Sequence, residues 1–101
     1  METIELQIDN APDIRFYGER LGEASSRTRD SKRWTVLTLY KTRAGKFVCH
    51  KEGQTLMPDE KLKSSCLVAD TEAQIIEFFG QGPLSKELYH AAKIENVQVV
   101  D

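Results

Sequence analysis

The chain has no long apolar run, only two cysteines and three prolines, and no low-complexity segment or repeat. Each absence excludes something. Nothing approaches the roughly 18 uninterrupted apolar residues of a membrane-spanning helix, so no membrane partner is expected. "METIELQIDN" has neither a basic start nor an apolar stretch before a cleavage site, and does not read as a secretory signal. Cys49 and Cys66 then read as reduced thiols in a bacterial cytoplasm. There is no C-x-x-C and no H-x-x-x-H spacing. Cys49 and His50, neighbours on a strand, point to opposite faces and cannot easily share an ion. Neither a metal site nor a cofactor is expected.

What is present suffices for one domain spanning residues 1–101: 40% of residues are hydrophobic and 30% charged. "TIELQI" alternates, with Ile4, Leu6 and Ile8 on one side, and predicts a half-buried strand ending at the Asn10-Ala11-Pro12-Asp13 turn cluster. "IRFYGERLGEASS" carries Gly18 and Gly22, each costing a helix interior about 1 kcal/mol; Ile14 and Phe16 at period two favour a strand. "KRWTVLTLYKTRAGKFVCHK" predicts a hairpin. Its β-rich arms flank Thr42-Arg43-Ala44-Gly45, and a four-residue loop would set Leu39 opposite Val48 and Tyr40 opposite Phe47. "EGQTLMPDEKLKSS" reads as a connecting loop.

Two helices follow. Thr71 and Gln74 form a capping box, Ile75, Ile76 and Phe79 an apolar stripe, and Gly80 a left-handed stop. Pro83 opens the second helix, with Leu84, Leu88 and Ala91 or Ala92 on its apolar side. Val97, Val99 and Val100 read as a short last strand. The expectation is an α+β fold: a mostly antiparallel sheet, built from the N-terminal strands and the central hairpin, covered by a C-terminal helical hairpin.

No motif names a reaction. Cys66 with His90 is the one thiol–base pairing worth naming, and it lacks a local signature. Gly80-Gln81-Gly82 lacks the Lys-Thr of a phosphate loop. As a helix-turn-helix, the helical pair would place Ile76 and Lys86 at the wrong positions and would offer no basic reading head. Cys49 reads as a small buried thiol, and both histidines as surface residues. An enzyme is not expected.

The charge layout is the unusual feature. From Arg27 to Lys51 eight basic residues face Asp30 alone, a local charge of +7 in a chain of net charge −2. The same stretch carries Trp34, Tyr40 and Phe47. Interleaved cations and aromatics are how a sheet holds a phosphate backbone. The candidate polyanion-binding residues are Arg27, Arg29, Lys32 and Arg33 on one loop, with Lys41, Arg43 and Lys46 at the hairpin tip. The bland counterpart is a strand whose cations pair with Glu19 and Glu23 next door. Three readings stay open: a small non-enzymatic module binding nucleic acid or another polyanion, a protein-interaction module or homodimer, and a small ribonuclease-type toxin using His50 or His90.

The succession "GERLGEASS", "RWTVLTLYKTRAGKFV" and "FFGQGPLSKELYHAA" resembles a group of small uncharacterised bacterial proteins. Gly18-Glu19, Ser25-Ser26, Arg33-Trp34, Tyr40, Gly45 and Val48 carry the resemblance. It implies a bacterial protein carried on mobile DNA and supplies neither an activity nor a site.

Overall fold

Five antiparallel strands form one sheet in which every strand lies beside its sequence neighbour. The computed structural model describes residues 1–100. The strands are β1 (Glu2–Leu6), β2 (Ile14–Ser25), β3 (Arg33–Thr42), β4 (Phe47–Thr55) and β5 (Lys63–Ala69), followed by α1 (Glu72–Phe79) and α2 (Pro83–Ala92). The expected α+β architecture is present, with both helices after the sheet.

The glycine-bearing segment is a strand, and its irregularity has a place. The β2–β3 register shifts between Arg20 and Gly22, so Leu21 is the extra residue of a bulge. Gly22 then lies directly beneath α2, where a Cβ would come within 2.9 Å of the Ala92 amide nitrogen. The helix settles on β2 because that position has no side chain.

The central hairpin forms, with its register one residue from the expected one. Leu39 faces Cys49 and Tyr40 faces Val48. The reason is the turn: Thr42 donates its N–H to the Lys46 carbonyl (2.8 Å) and accepts the Gly45 N–H (2.9 Å), which leaves three residues between the paired ends. Gly45, at φ +89°, supplies the positive-φ step that such three-residue loops need.

Two further expectations are corrected. The connector after β4 is shorter than predicted, because β4 runs to Thr55 and the Ser-rich KSSCLVA segment is strand β5. Only Ala69 of β5 is buried, so an apolar alternation had little to select there. The valines at the C-terminus form no strand. Val97, Val99 and Val100 are 73–80% exposed, with no neighbouring edge holding them.

The sheet buries residues on both faces. On one face Leu37, Leu39, Cys49 and Ala69 meet Ile75 and Phe79 of α1 and Leu88 and Tyr89 of α2. Fully burying Leu39, Ile75 or Leu88 stabilises the fold by about 1.5–3 kcal/mol each. The capping box fixes the start of α1: Gln74 N–H reaches Thr71 Oγ1 and Gln74 Oε1 accepts the Thr71 amide. Gly80 stops it with φ +83°. Ser85 Oγ and Tyr89 O–H then donate to the Phe79 and Gly80 carbonyls (2.7 and 2.6 Å), locking α2 against the end of α1.

On the opposite face Thr38, Val48 and His50 are buried although no helix covers them. Curling of the sheet encloses them. Phe16 of β2 meets Tyr40 of β3 edge to face at 5.4 Å. The turn after β1 reaches across to β5, where the Asp9 N–H donates to the Ser64 carbonyl (3.1 Å) and Asp9 Oδ2 accepts the Ser64 N–H (2.8 Å). At the far end of β5, Gln74 Oε1 accepts the Asp70 N–H (2.7 Å). Outward-pointing backbone groups alternate along an edge strand, so between these two plugs Cys66 and Val68 are the residues facing out.

Candidate functional site

β3 carries the basic block and also divides it. Its ten residues hold Arg33 and Thr42 roughly 30 Å apart at about 3.3 Å per residue. Arg27, Arg29, Lys32 and Arg33 therefore sit at one end of the sheet, and Lys41, Arg43 and Lys46 at the other. The structure does not bring the seven candidates into a single patch.

At the hairpin tip, two of the three cations have neighbours. Lys46 Nζ lies 2.7 Å from Asp70 Oδ1 at the start of α1. Lys41 faces Glu19 across the β2–β3 ladder, and its ammonium lies 5.7 Å from the Phe47 ring centroid. Arg43 is exposed, its amide bonded to the Tyr17 carbonyl.

The opposite end is assembled from two loops. In the β2–β3 loop, hydroxyls order the backbone: Ser26 Oγ accepts the Thr35 N–H (2.8 Å), and Ser31 Oγ accepts the Thr28 N–H (2.7 Å). The β4–β5 loop docks beside it through the Leu56 N–H to the Lys32 carbonyl (2.8 Å). Glu60 pins that loop. Both its carboxylate oxygens accept from Arg33 Nε (2.7 and 2.8 Å), and Thr55 Oγ1 adds a third bond. These bonds, Arg33 first, hold the Glu60 carboxyl below the ordinary glutamate range.

Between the β4–β5 loop and the Asp9-Asn10 turn lies an open groove of about 830 Å³ on the helix-bearing face of the sheet, floored by Thr35, Gly53 and Ser65. Lys51, Lys61 and Lys63 line it, with Asp9 as the carboxylate at its rim. An adjoining hollow shares Thr35, Gly53, Lys61 and Lys63 and extends to Trp34 and Arg33. Trp34 is half-buried rather than a full core residue, and the Arg27 guanidinium covers its ring at 4.2 Å. This stacking holds a cation at the site without neutralising it.

Lys61 and Lys63 escaped the sequence reading because they lie outside the block of high basic density. The signal that could have found them is the two-residue spacing around Leu62 at the start of a strand, had β5 been recognised. At the root end Arg27, Arg29, Lys32, Lys61 and Lys63, together with Lys51 in the groove, have no carboxylate within 4 Å among the described residues; at the tip the same holds of Lys41 and Arg43.

The catalytic candidates separate. Cys66 pairs with His50 on the inner curve of the sheet, whereas His90 stands exposed on α2 beside Glu23, Lys86 and Glu87. Cys66 and His90 do not meet. Burial pushes the Cys49 thiol up to about 12 and the Cys66 thiol up to about 11, so both are protonated and poorly nucleophilic at neutral pH. His50 is buried, at 6% exposure, not on the surface as expected, because the curl of the sheet closes over it. Its Nε2 lies 2.6 Å from Ser64 Oγ, and burial lowers its basicity. That contact satisfies a buried imidazole and ties β4 to β5. No group of three or more potential metal ligands occurs among the described residues, and none of the helices is long and apolar enough to cross a membrane.

Comparison of the chain with protein-family models, with curated proteins and with solved structures gives no match.

Proposed function

We propose that the chain is a binding module that holds a polyanion at the end of the sheet formed by the β2–β3 and β4–β5 loops. The observation that carries this reading is a groove floored by Gly53 and lined by Lys51, Lys61 and Lys63, none of which has a carboxylate within 4 Å among the described residues, with Arg27 and Arg29 equally unpaired on the adjoining β2–β3 loop. Cations on elements hydrogen-bonded to one another need little reordering to meet a row of anionic groups, and a flat floor lets an extended ligand approach the backbone. The hairpin tip, where Lys46 is paired with Asp70 and Lys41 faces Glu19 across the ladder, plays no part in the site. A bacterial cytoplasm suits a chain whose two cysteines are free thiols.

The test compares two triple variants of equal charge change. Arg29, Lys61 and Lys63 are replaced by Ala in one, and Lys41, Arg43 and Lys46 in the other. Trp34 is the chain's single tryptophan and adjoins the groove, so its fluorescence reports binding of oligonucleotides, inorganic polyphosphate or anionic vesicles. With a nucleic-acid probe, the first variant should flatten the slope of log K against log salt by about 2 to 3, at 0.7–0.9 per lost phosphate contact. The tip variant should change it by less than about 1. Equal losses in both variants, or no binding to any of the probes at low salt, would refute the proposal.

A second reading, pairing with another protein along β5, draws on Leu67 and Val68, exposed at 37% and 47% on opposite faces of that edge. It has less support, since Asp9 and Gln74 already occupy the two ends of the edge.

A further inference from the structure

The β4–β5 loop presents apolar side chains where a surface loop usually presents polar ones. Its carboxylate Glu60 is held at the surface by Arg33 and Thr55. Leu56, Met57 and Leu62 point outward, at 61%, 39% and 52% exposure. The arrangement is built rather than loose: the Met57 N–H donates to Thr55 Oγ1 (3.0 Å), and the Glu60 N–H closes a turn onto the Met57 carbonyl (3.2 Å). Single exposed aliphatic residues are ordinary, but three on one seven-residue loop form a patch. The patch stands inside the cationic cluster. The Leu56 amide is bonded to the Lys32 carbonyl, Leu62 lines the groove between Lys61 and Lys63, and Trp34, with Arg27 over its ring, borders the neighbouring hollow.

Resting on the reading of this end as a polyanion site, we infer that its ligand is the anionic surface of a lipid bilayer, which Leu56, Met57 and Leu62 enter while the surrounding lysines and arginines meet the headgroups. A nucleic acid can neutralise the cations, but offers little to three aliphatic side chains standing among them. A bilayer satisfies both: acyl chains take the apolar tip, and anionic headgroups attract basic side chains within about a Debye length. Trp34, half-buried at the base of the cluster, has the amphipathic ring that favours the headgroup level. Asp59 is the one exposed carboxylate of the loop without an ion pair among the described residues, and it opposes a larger number of cations. Docking of this kind needs no spanning helix, so it is compatible with the short helices of this fold.

The experiment uses the whole chain and vesicles of phosphatidylcholine alone or with one quarter phosphatidylserine (a test composition), read by co-sedimentation and by Trp34 fluorescence. The decisive variant is Leu56→Gln with Met57→Gln, which alters no charge and touches only exposed side chains that do not line the groove. Binding to the serine-containing vesicles should exceed binding to neutral ones by roughly fivefold for each cation that reaches the surface. The double variant should lose about tenfold or more on vesicles, because aliphatic carbons no longer enter the acyl region. Its binding to oligonucleotides or inorganic polyphosphate should not change. Vesicle binding that survives the double variant would overturn the inference, as would binding to soluble polyanions with none to vesicles; the second result would leave the polyanion site standing. No binding to vesicles, oligonucleotides or polyphosphate would remove both.

Discussion

The two ends of β3 carry nearly the same sequence chemistry and come to opposite conditions. At the tip, Lys41 and Lys46 lie beside Glu19 and Asp70, supplied by β2 and by the start of α1. At the root, the arriving β4–β5 loop and the start of β5 bring Glu60, which Arg33 pairs, exposed Asp59, and two more cations, Lys61 and Lys63. Charge density along a sequence therefore does not measure free charge on a surface. What decides it is which element the fold delivers to each end of the strand, and here the fold places carboxylates beside two of the three cations at one end and adds cations to the other.

The strongest way to break this contrast is to remove the piece that gives the root its form. Trp34→Ala should destabilise the domain by about 2–3 kcal/mol, less than the roughly 3–5 of a fully buried Trp because the residue is only partly buried. It should also release Arg27 and weaken polyanion binding. A shift in urea midpoint without a change in binding would mean that the stacked pair serves stability alone.

At the other end, Gly45→Val should cost about 1 kcal/mol, since valine must adopt φ +89°. Nothing lies within 4 Å of the added Cβ, so strain alone is measured. Binding at the root should be untouched. A Gly45→Val protein that melts normally but binds poorly would mean that the two ends are coupled.

The smallest effect sharpens the middle of the molecule. Burial lowers the basicity of His50, so below the ordinary imidazole value of about 6.5 the unfolded chain takes up its proton first. The stability that this group contributes is complete above that pH and is lost as pH falls toward the folded value. The melting midpoint should thus decline between pH 7 and 5 more steeply in the native chain than in His50→Gln, where the amide can still bond Ser64. Parallel curves would assign the acid sensitivity to carboxylates such as Glu60, whose lowered value acts further down the pH scale.

What could be read in the sequence was local. The capping box, Pro83 at the start of α2 and the positive φ of Gly45 each depend on a few adjacent residues. The exact pairing of the hairpin was not legible, because one residue more or less in the turn moves every partner. β5 was missed because an edge strand with one buried residue has little pattern to show. His50 looked like a surface residue because its cover comes from the curl of distant strands. The candidate site was half legible: its β2–β3 loop stood out as dense charge, whereas Lys61 and Lys63 join it only through the fold.

The plugs on β5 set how this protein should behave in a concentrated solution. An open edge strand is a template for adding further chains, and KSSCLVA, with no proline and no charge beyond its first residue, would be an inviting one. Asp9 and Gln74 leave a gap bounded by Ser64 and Asp70, too short to seed a ladder. Protection of this edge thus rests on one carboxylate and one amide, placed at the two ends of the strand by segments 65 positions apart. Losing the Asp9 carboxylate would lengthen the exposed template, whereas losing Gln74 would also remove the capping box that starts α1.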